Sequence, residues 1–289
     1  MNNPSSQESS NYLSFISPGV RLMLLATICF TIMQVFVKQA AALHTFEITF
    51  FRSAITSICC FVYLLQQGLP IIGNNQKILF LRAFLGIISM TSFFLTLQWM
   101  PFGASVSLKY LSPVFAAIAA IILLKEKVKP RQWLFFGMAL SGVLLLKGFD
   151  TRIDLMGLSI GLVGAIAGGL IYAIIRKIGM TEHPFVIINY FMCSAAIIMG
   201  VLMLPYWRLP TTIEWMYVLI IGIAGFFAQV FMTKAFQLEE VRIIAPMKYL
   251  EVLYALLLGW IWFGEVYTLL SFIGIVLIVL GMFLNLIKN

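Results

Sequence analysis

Apolar residues fill long runs in this chain, and polar residues are confined to the short intervals between them. Ten runs stand out, at about 18–40, 46–66, 78–99, 103–124, 130–147, 155–177, 184–204, 213–236, 241–263 and 267–287. Each is roughly 18–25 residues long, the length an α-helix needs to cross a bilayer. Nowhere does polarity alternate along short segments as it does in a transmembrane β-barrel. The pattern predicts an all-α polytopic membrane protein of ten transmembrane helices, with no room for a soluble domain. Mean hydropathy of +1.01 and 62% hydrophobic residues exclude an ordinary soluble fold.

A second pattern is superimposed on the first. Displacing the chain by 139 positions lays His44 on His183, the only two histidines, and Lys109-Tyr110-Leu111 on Lys248-Tyr249-Leu250. Glu126 then falls on Glu265, Gln98 on Gln237, Lys38 on Lys177, Gly86 on Gly225 and Gly142 on Gly281. Apolar coincidences mean little in so hydrophobic a chain. Polar ones at a single offset do mean something, because only 10% of residues are charged. The chain reads as a duplication: a disordered cytoplasmic tail at 1–17, a first five-helix repeat at 18–149 and a second at 150–289.

The tail, rich in Ser, Asn and Gln, has no basic start and no small-residue cleavage site after the first run, so no signal peptide is expected. The net charge of +8 reads as topology, not as nucleic-acid binding. With a cytoplasmic N-terminus, Arg21, Lys77, Arg82, Lys125, Lys127, Lys129, Arg131, Arg176, Lys177, Lys234, Arg242 and Lys288 fall inside. Lys38, Lys147, Arg152 and Arg208 fall outside, and Arg52, Lys109 and Lys248 lie within spans. Both termini are therefore expected in the cytoplasm. Because the repeat unit holds an odd number of spans, the second copy must enter the membrane from the opposite side. The loop at 125–131, with four basic residues, and its uncharged-but-for-Glu265 counterpart at 264–268 agree with that inversion. Inverted repeats are a recurrent architecture of secondary transporters, with the substrate site near the midplane between the halves.

Ionisable groups inside spans are costly and face partners or water-filled cavities. Lys109 and Lys248 occupy equivalent positions and are expected to face one cavity. Glu251 lies three residues beyond Lys248, on the same helical face, and Arg52 adds a further cation. Two arrangements are open: an anion-binding cavity held by the lysines, or a structural Lys109–Glu251–Lys248 network locking the halves. Tyr110 and Tyr249, with Asn189 and Tyr190, are candidate substrate contacts. Glu251, Glu47 and Pro113 are candidates for coupling or gating; Pro113 weakens the helix by failing to donate to the carbonyl of Lys109, and Pro246 sits beside Lys248. Gln34, Thr91, Ser92, Gln98, Gln229 and Thr233 read as interhelical contacts. Gly157, Gly161, Gly164 and Gly168 mark close helix approach, within the chain or in a dimer.

The two histidines, at opposite faces, cannot share a metal and read as solvated or helix-capping. Cys29, Cys59, Cys60 and Cys193 lack metal-ligand spacing. No Walker loop, GxSxG, HExxH or paired CxxC is present. No catalytic residue, metal or cofactor is expected, and transport would draw on an ion, exchange or substrate gradient.

The stretch from Leu43 through His44, Phe46 and Glu47 to Phe51-Arg52 resembles the start of the second helix in EamA-type members of the drug/metabolite transporter superfamily. Arg82-Ala83-Phe84-Leu85-Gly86 resembles their third-helix opening, and Tyr110 to Phe115 through Leu124-Lys125-Glu126-Lys127 their fourth-helix pattern, with Glu265 and Gly281 repeating it. The resemblance covers the chain after residue 17 and implies ten helices in two inverted repeats. The wording around His44 to Arg52 is closest to a branch holding bacterial S-adenosylmethionine carriers and animal members of the solute carrier 35 group. The plastid sugar-phosphate translocators, another branch, hold phosphate with basic residues, an analogy that makes Lys109 and Lys248 anion ligands. Glu251-Val252 stands where Ser112-Pro113 stands in the first half, so the pocket is not symmetric.

The expectation is a secondary transporter in a bacterial inner membrane, carrying a small organic anion or amino-acid-like zwitterion by alternating access, export being favoured by the resemblance. Coupling to protons or a counter-substrate is open, as is monomer or homodimer. A cationic or nucleoside-like substrate such as S-adenosylmethionine is the alternative. A lipid flippase or a membrane scaffold is a further one.

Overall fold

The computed structural model describes residues 17–100, 102–126, 129–147 and 155–264, with 269–270, 273–274, 276–277, 280–281 and 284. Residues 1–16 of the expected tail, Lys127, Arg152, Glu265, Lys288 and about half of the expected last span lie outside the described residues. Among the described residues there is no strand. Among the described residues, six helices are long and apolar enough to cross a membrane: α1 (Pro18–Gln39), α2 (Thr45–Gln66), α3 (Gln76–Trp99), α7 (Leu155–Ile178), α8 (Pro184–Leu202) and α9 (Thr212–Leu238). These are the first three expected spans of each half. The chain is a multi-pass helical membrane protein.

The helix starts are written locally. Pro18 opens α1 behind a Ser17 cap, and Thr211 and Glu214 form a reciprocal capping box at α9. The duplicated histidines do the same work in both halves. His44 Nδ1 accepts from the amide of Phe46 and His183 Nδ1 from that of Phe185, capping α2 and α8. The duplicated glutamines also make one bond twice: Gln98 Nε2 donates to the carbonyl of Leu43, and Gln237 Nε2 to that of Glu182, each 2.9 Å away. Leu43 and Glu182 are themselves 139 positions apart.

The fourth expected span of each half is not one continuous α-helix. In the first half, α4 (Phe102–Lys109) stops at a turn over Tyr110 and Leu111. Then α5 (Ser112–Ala119) continues into a π turn, Ala120–Leu124. In the second half, α10 (Val241–Ile244) passes into a 3₁₀ segment, Ala245–Tyr249, and then α11 (Leu250–Phe263). Both breaks fall at the lysine and beside a proline, which cannot continue the hydrogen-bond ladder. The carbonyl that Pro113 leaves without a backbone donor is taken by the Ser112 hydroxyl, 2.6 Å from Lys109 O. Both broken spans end in a left-handed residue at the same repeat position, Lys125 (φ 55°) and Gly264 (φ 64°). Glycine adopts this without a Cβ clash; lysine does so at a cost of roughly 1 kcal/mol. The fifth expected span of the first half is α6 (Pro130–Lys147).

The most extensive helix pairings join the two halves: α1 with α9, α2 with α8, and α3 with α7. In each, residue numbers run in opposite directions. Gly19 abuts Glu239 while Met33 abuts Gly225, and the Phe36 and Tyr217 rings lie 5.6 Å apart. Phe50 abuts Gly200, Ser57 donates to Asn189 Oδ1 at 2.8 Å, and Tyr63 stacks on Phe185 at 3.9 Å. Thr96, Ser92 and Ser89 meet Gly161, Gly164 and Gly168 in turn. Gly161, Gly164 and Gly168 therefore serve packing within the chain, seating α7 on α3, α4 and α5. Short loops reverse the chain after α1 and after α2, so α1 and α3 run one way and α2 the other. Antiparallel partners then force α7, α8 and α9 to run opposite to their equivalents α1, α2 and α3. The halves are inverted, and their exchange pattern is that of a two-fold axis.

Candidate functional site

Where the halves meet, a cavity of about 80 Å³ opens. Its wall takes five pairs of equivalent positions from the two halves: Met33 and Tyr172, Arg52 and Phe191, Met90 and Gln229, Phe93 and Met232, Lys109 and Lys248. Of these pairs only the lysines are identical. The cavity is geometrically paired and chemically asymmetric.

Glu251 is the hub behind this wall. Its carboxylate is fully buried. One oxygen lies 2.6 Å from Lys248 Nζ; the other accepts from Gln34 Nε2 at 2.8 Å and Tyr110 OH at 2.7 Å, with Lys109 Nζ 3.5 Å away. The structure thus brings Lys109, Lys248, Glu251 and Tyr110 together, and binds the broken spans of both halves to α1. The i,i+3 pairing of Lys248 with Glu251 starts on the 3₁₀ turn, where residues three apart eclipse one another. At Lys109 the third residue on is Ser112, which offers no charge. The Phe30 ring faces both ammonium groups, 4.4 Å from Lys248 and 5.2 Å from Lys109, and Phe93 lies 4.1 Å from Lys109. Aromatic faces stabilise desolvated ammonium groups by electrostatic attraction to the ring.

Two further cations line the cavity. Arg52 points its Nε at the sulfur of Met33, 3.1 Å away, and its Nη1 at the sulfur of Met90. Arg82 lies over the Phe191 ring at 4.3 Å. Among the described lining residues four are basic and none is acidic. The charge count assigns Arg82 to the cytoplasmic side; the structure turns it inward and buries it to 1% exposure. The readable signal was its helical spacing with Gly86, Met90 and Phe93 on one face of α3. Phe191, Tyr172 and Phe30 carried no sequence signal among so many aromatics.

The other candidates lie elsewhere. Tyr249 is buried with its ring 6.0 Å from that of Tyr110, and neither tyrosine lines the cavity. Asn189 is occupied by Ser57 between α2 and α8, and Tyr190 is half-buried on α8 outside the cavity wall. Glu47 is buried at the start of α2, accepting from the amides of His44 and Arg208 at 3.0 and 2.9 Å. It belongs to a second recess beside His44, Gln98, Tyr206 and Arg208. Pro113 begins α5 at the break beside Lys109. Among the described residues no group of His, Cys, Asp and Glu has metal-binding geometry.

A duplicated, inverted helical membrane fold with a charged cavity at the junction of its halves defines a carrier. The model of the EamA-like transporter family matches residues 17–147 and again 155–287. The chain belongs to that family and is a transporter. It is 29% identical to the pseudopaline exporter CntI of Pseudomonas aeruginosa over 93% of this chain and 96% of that one. It is 32% identical to human solute carrier family 35 member G1 over 87% of this chain and 74% of that one. The S-adenosylmethionine uptake transporter of Rickettsia prowazekii is 24% identical over 86% of this chain and 85% of its own. A solved crystal structure superposes with a TM-score of 0.80 over 94% of this chain and 98% of its own, at 16% identity, a likeness of fold alone.

Proposed function

We propose that this protein is a secondary active transporter that carries a small organic anion, or a zwitterion with surplus acid, through the cavity between its halves. The observation behind this reading is the excess of basic side chains on the cavity wall, drawn from both halves. Glu251 offsets one of these cations and is itself saturated by Lys248, Tyr110, Gln34 and Lys109. An incoming acidic group takes Lys109, whose contact with Glu251 is the longer one. Alternating access follows from inversion: exchanging the conformations of residues 18–149 and 150–289 converts a cavity open to one side into one open to the other. The kinship with a protein named as an exporter supports outward transport. The lysine-rich stretch at 125–131 supports a bacterial inner-membrane protein with both termini in the cytoplasm. Glu251 is the group through which proton or counter-substrate coupling would act.

A second reading draws on the aromatic rings around the cavity and on the kinship with a named S-adenosylmethionine transporter: a cationic nucleoside-like substrate. Its difficulty is that the sole carboxylate beside the cavity, among the described residues, has no free oxygen. A thermal-shift screen of the purified protein against organic anions, amino acids, nucleosides and organic cations separates the two. Stabilisation by anions or amino acids that Lys109→Ala removes is the expected result. Stabilisation by cationic nucleosides alone, unaffected by Lys109→Ala, would sink the anion reading.

A further inference from the structure

We infer that Arg52 and Arg82 form a second anion subsite in this cavity, so that the substrate carries two separated oxyanionic groups, one for the arginine pair and one for Lys109. This rests on the anion reading of the cavity and specifies what kind of anion enters it.

Both arginines line the cavity and are almost fully buried, at 3% and 1% exposure. Among the described residues neither has a carboxylate within ion-pair distance. Arg52 contacts two thioether sulfurs, which are weak acceptors. Arg82 has an aromatic face on one side, and its Nε and Nη1 have no hydrogen-bond partner in the protein. A guanidinium cannot shed its proton at physiological pH, so burial cannot neutralise it as it can a lysine. Glu251 does not reach them. A fold gains nothing from two fixed, unpaired charges in an apolar wall, because each loses its hydration with no counter-charge to offset it.

The backbone nonetheless makes room for both. A Cβ at Gly86 would lie 2.5 Å from Arg82 Nη1 and 2.6 Å from the Phe191 ring; one at Gly225 would lie 2.9 Å from Arg52 Nε. These glycines are equivalent positions of the two halves, whereas the arginines are not: Phe191 and Ile221 occupy their equivalents. The glycines keep the space into which the two guanidinium forks project. A fork matches the paired oxygens of a carboxylate or phosphate. A ligand with one acidic group leaves either this pair or Lys109 uncompensated; a ligand with two compensates both.

The test uses the full chain in lipid nanodiscs, with glutarate, citrate and 3-phosphoglycerate as two-group probes and butyrate as the single-group probe. Wild-type protein should bind at least one two-group probe tenfold or more tightly than butyrate. A response to the dicarboxylate or to the phosphate ester identifies the oxyanion. Arg82→Met and Arg52→Met should bring that affinity down to the butyrate level. In the ligand-free state both variants should melt higher than wild type. Gly86→Ala, which displaces the Arg82 head, should weaken the two-group probe in the same way. If butyrate binding depends on Lys109 but two-group probes bind no better, the inference falls and the anion reading stands. If both arginine variants melt lower and keep the two-group preference, the arginines are structural and the inference falls. If wild-type protein binds none of the four probes, both fall.

Discussion

Lys109 and Lys248 are the same residue at the same position of two related halves, yet they are held differently. Lys248 is 2% exposed and lies 2.6 Å from Glu251; Lys109 is 18% exposed and 3.5 Å from the same carboxylate. The difference lies three residues downstream. The second half places Glu251 there, and the first half places Ser112, whose hydroxyl turns back to the carbonyl of Lys109. A duplicated fold thus supplies two equivalent cations, and one local substitution ties one down and leaves the other facing the cavity. The lesson is that symmetry provides the means of alternating between two states, while asymmetry provides a place for the cargo.

Three measurements can break or sharpen that contrast. The largest effect is expected at the hub. Glu251→Gln strands Lys248 in the interior without its counter-charge, and breaking a buried pair in this way costs about 3–5 kcal/mol. Loss of folded protein in detergent is expected, and Lys248→Met in the same chain should restore it, since the cation then left without Glu251 is Lys109, which faces the cavity. If Glu251→Gln alone melts like wild type, Glu251 is not the structural centre of the junction. The middle effect concerns positions where the halves are alike. Gln98→Leu and Gln237→Leu each remove the same bond to an equivalent carbonyl, and should destabilise by about 1–3 kcal/mol apiece by leaving it unsatisfied. A large effect for one and none for the other would show that the matching bonds are not matched in energy.

The smallest effect is a pH dependence at the two helix starts. Burial holds both imidazoles below the ordinary histidine value of 6.5, with Glu47 opposing it at His44 and Lys234 adding to it at His183. The neutral form is the one whose Nδ1 accepts the capping amide. A depressed folded-state value means the contribution is present above 6.5 and is lost as the pH falls through the lower folded-state values. Each cap is worth about 0.5–2 kcal/mol. The melting temperature should therefore fall on acidification below about pH 6.5, and His44→Asn with His183→Asn, which keep a capping oxygen, should flatten that slope. An unchanged slope in the double variant assigns it to other groups.

Much of this architecture was legible because its causes are local or periodic. Long apolar runs have one solution in a bilayer, the helix, since no water is present to satisfy exposed backbone groups. Polar matches at an offset of 139 residues expose the duplication without any contact being known, and an odd number of spans per unit implies inversion. The two lysines were legible because charge within an apolar run is rare. Arg82 was not, since a basic residue near a span end reads as an anchor until the direction of its side chain is known. The breaks at Lys109 and Lys248 were only half legible: proline announces a weakened ladder, but the neighbouring helix decides whether the chain bends or stops.

The sequence by itself determined the class of fold, its internal repeat and the rarity of its buried charges, because those follow from composition and spacing along one dimension. Only the tertiary structure decided which charges meet. It gave Glu251 to both lysines, took Tyr110 and Tyr249 off the cavity wall, and brought Arg52 and Arg82 onto it. That outcome depends on how antiparallel helices from the two halves interlock, and a side chain's partner across such an interface lies more than a hundred residues away in the chain, as Tyr110 and Glu251 do.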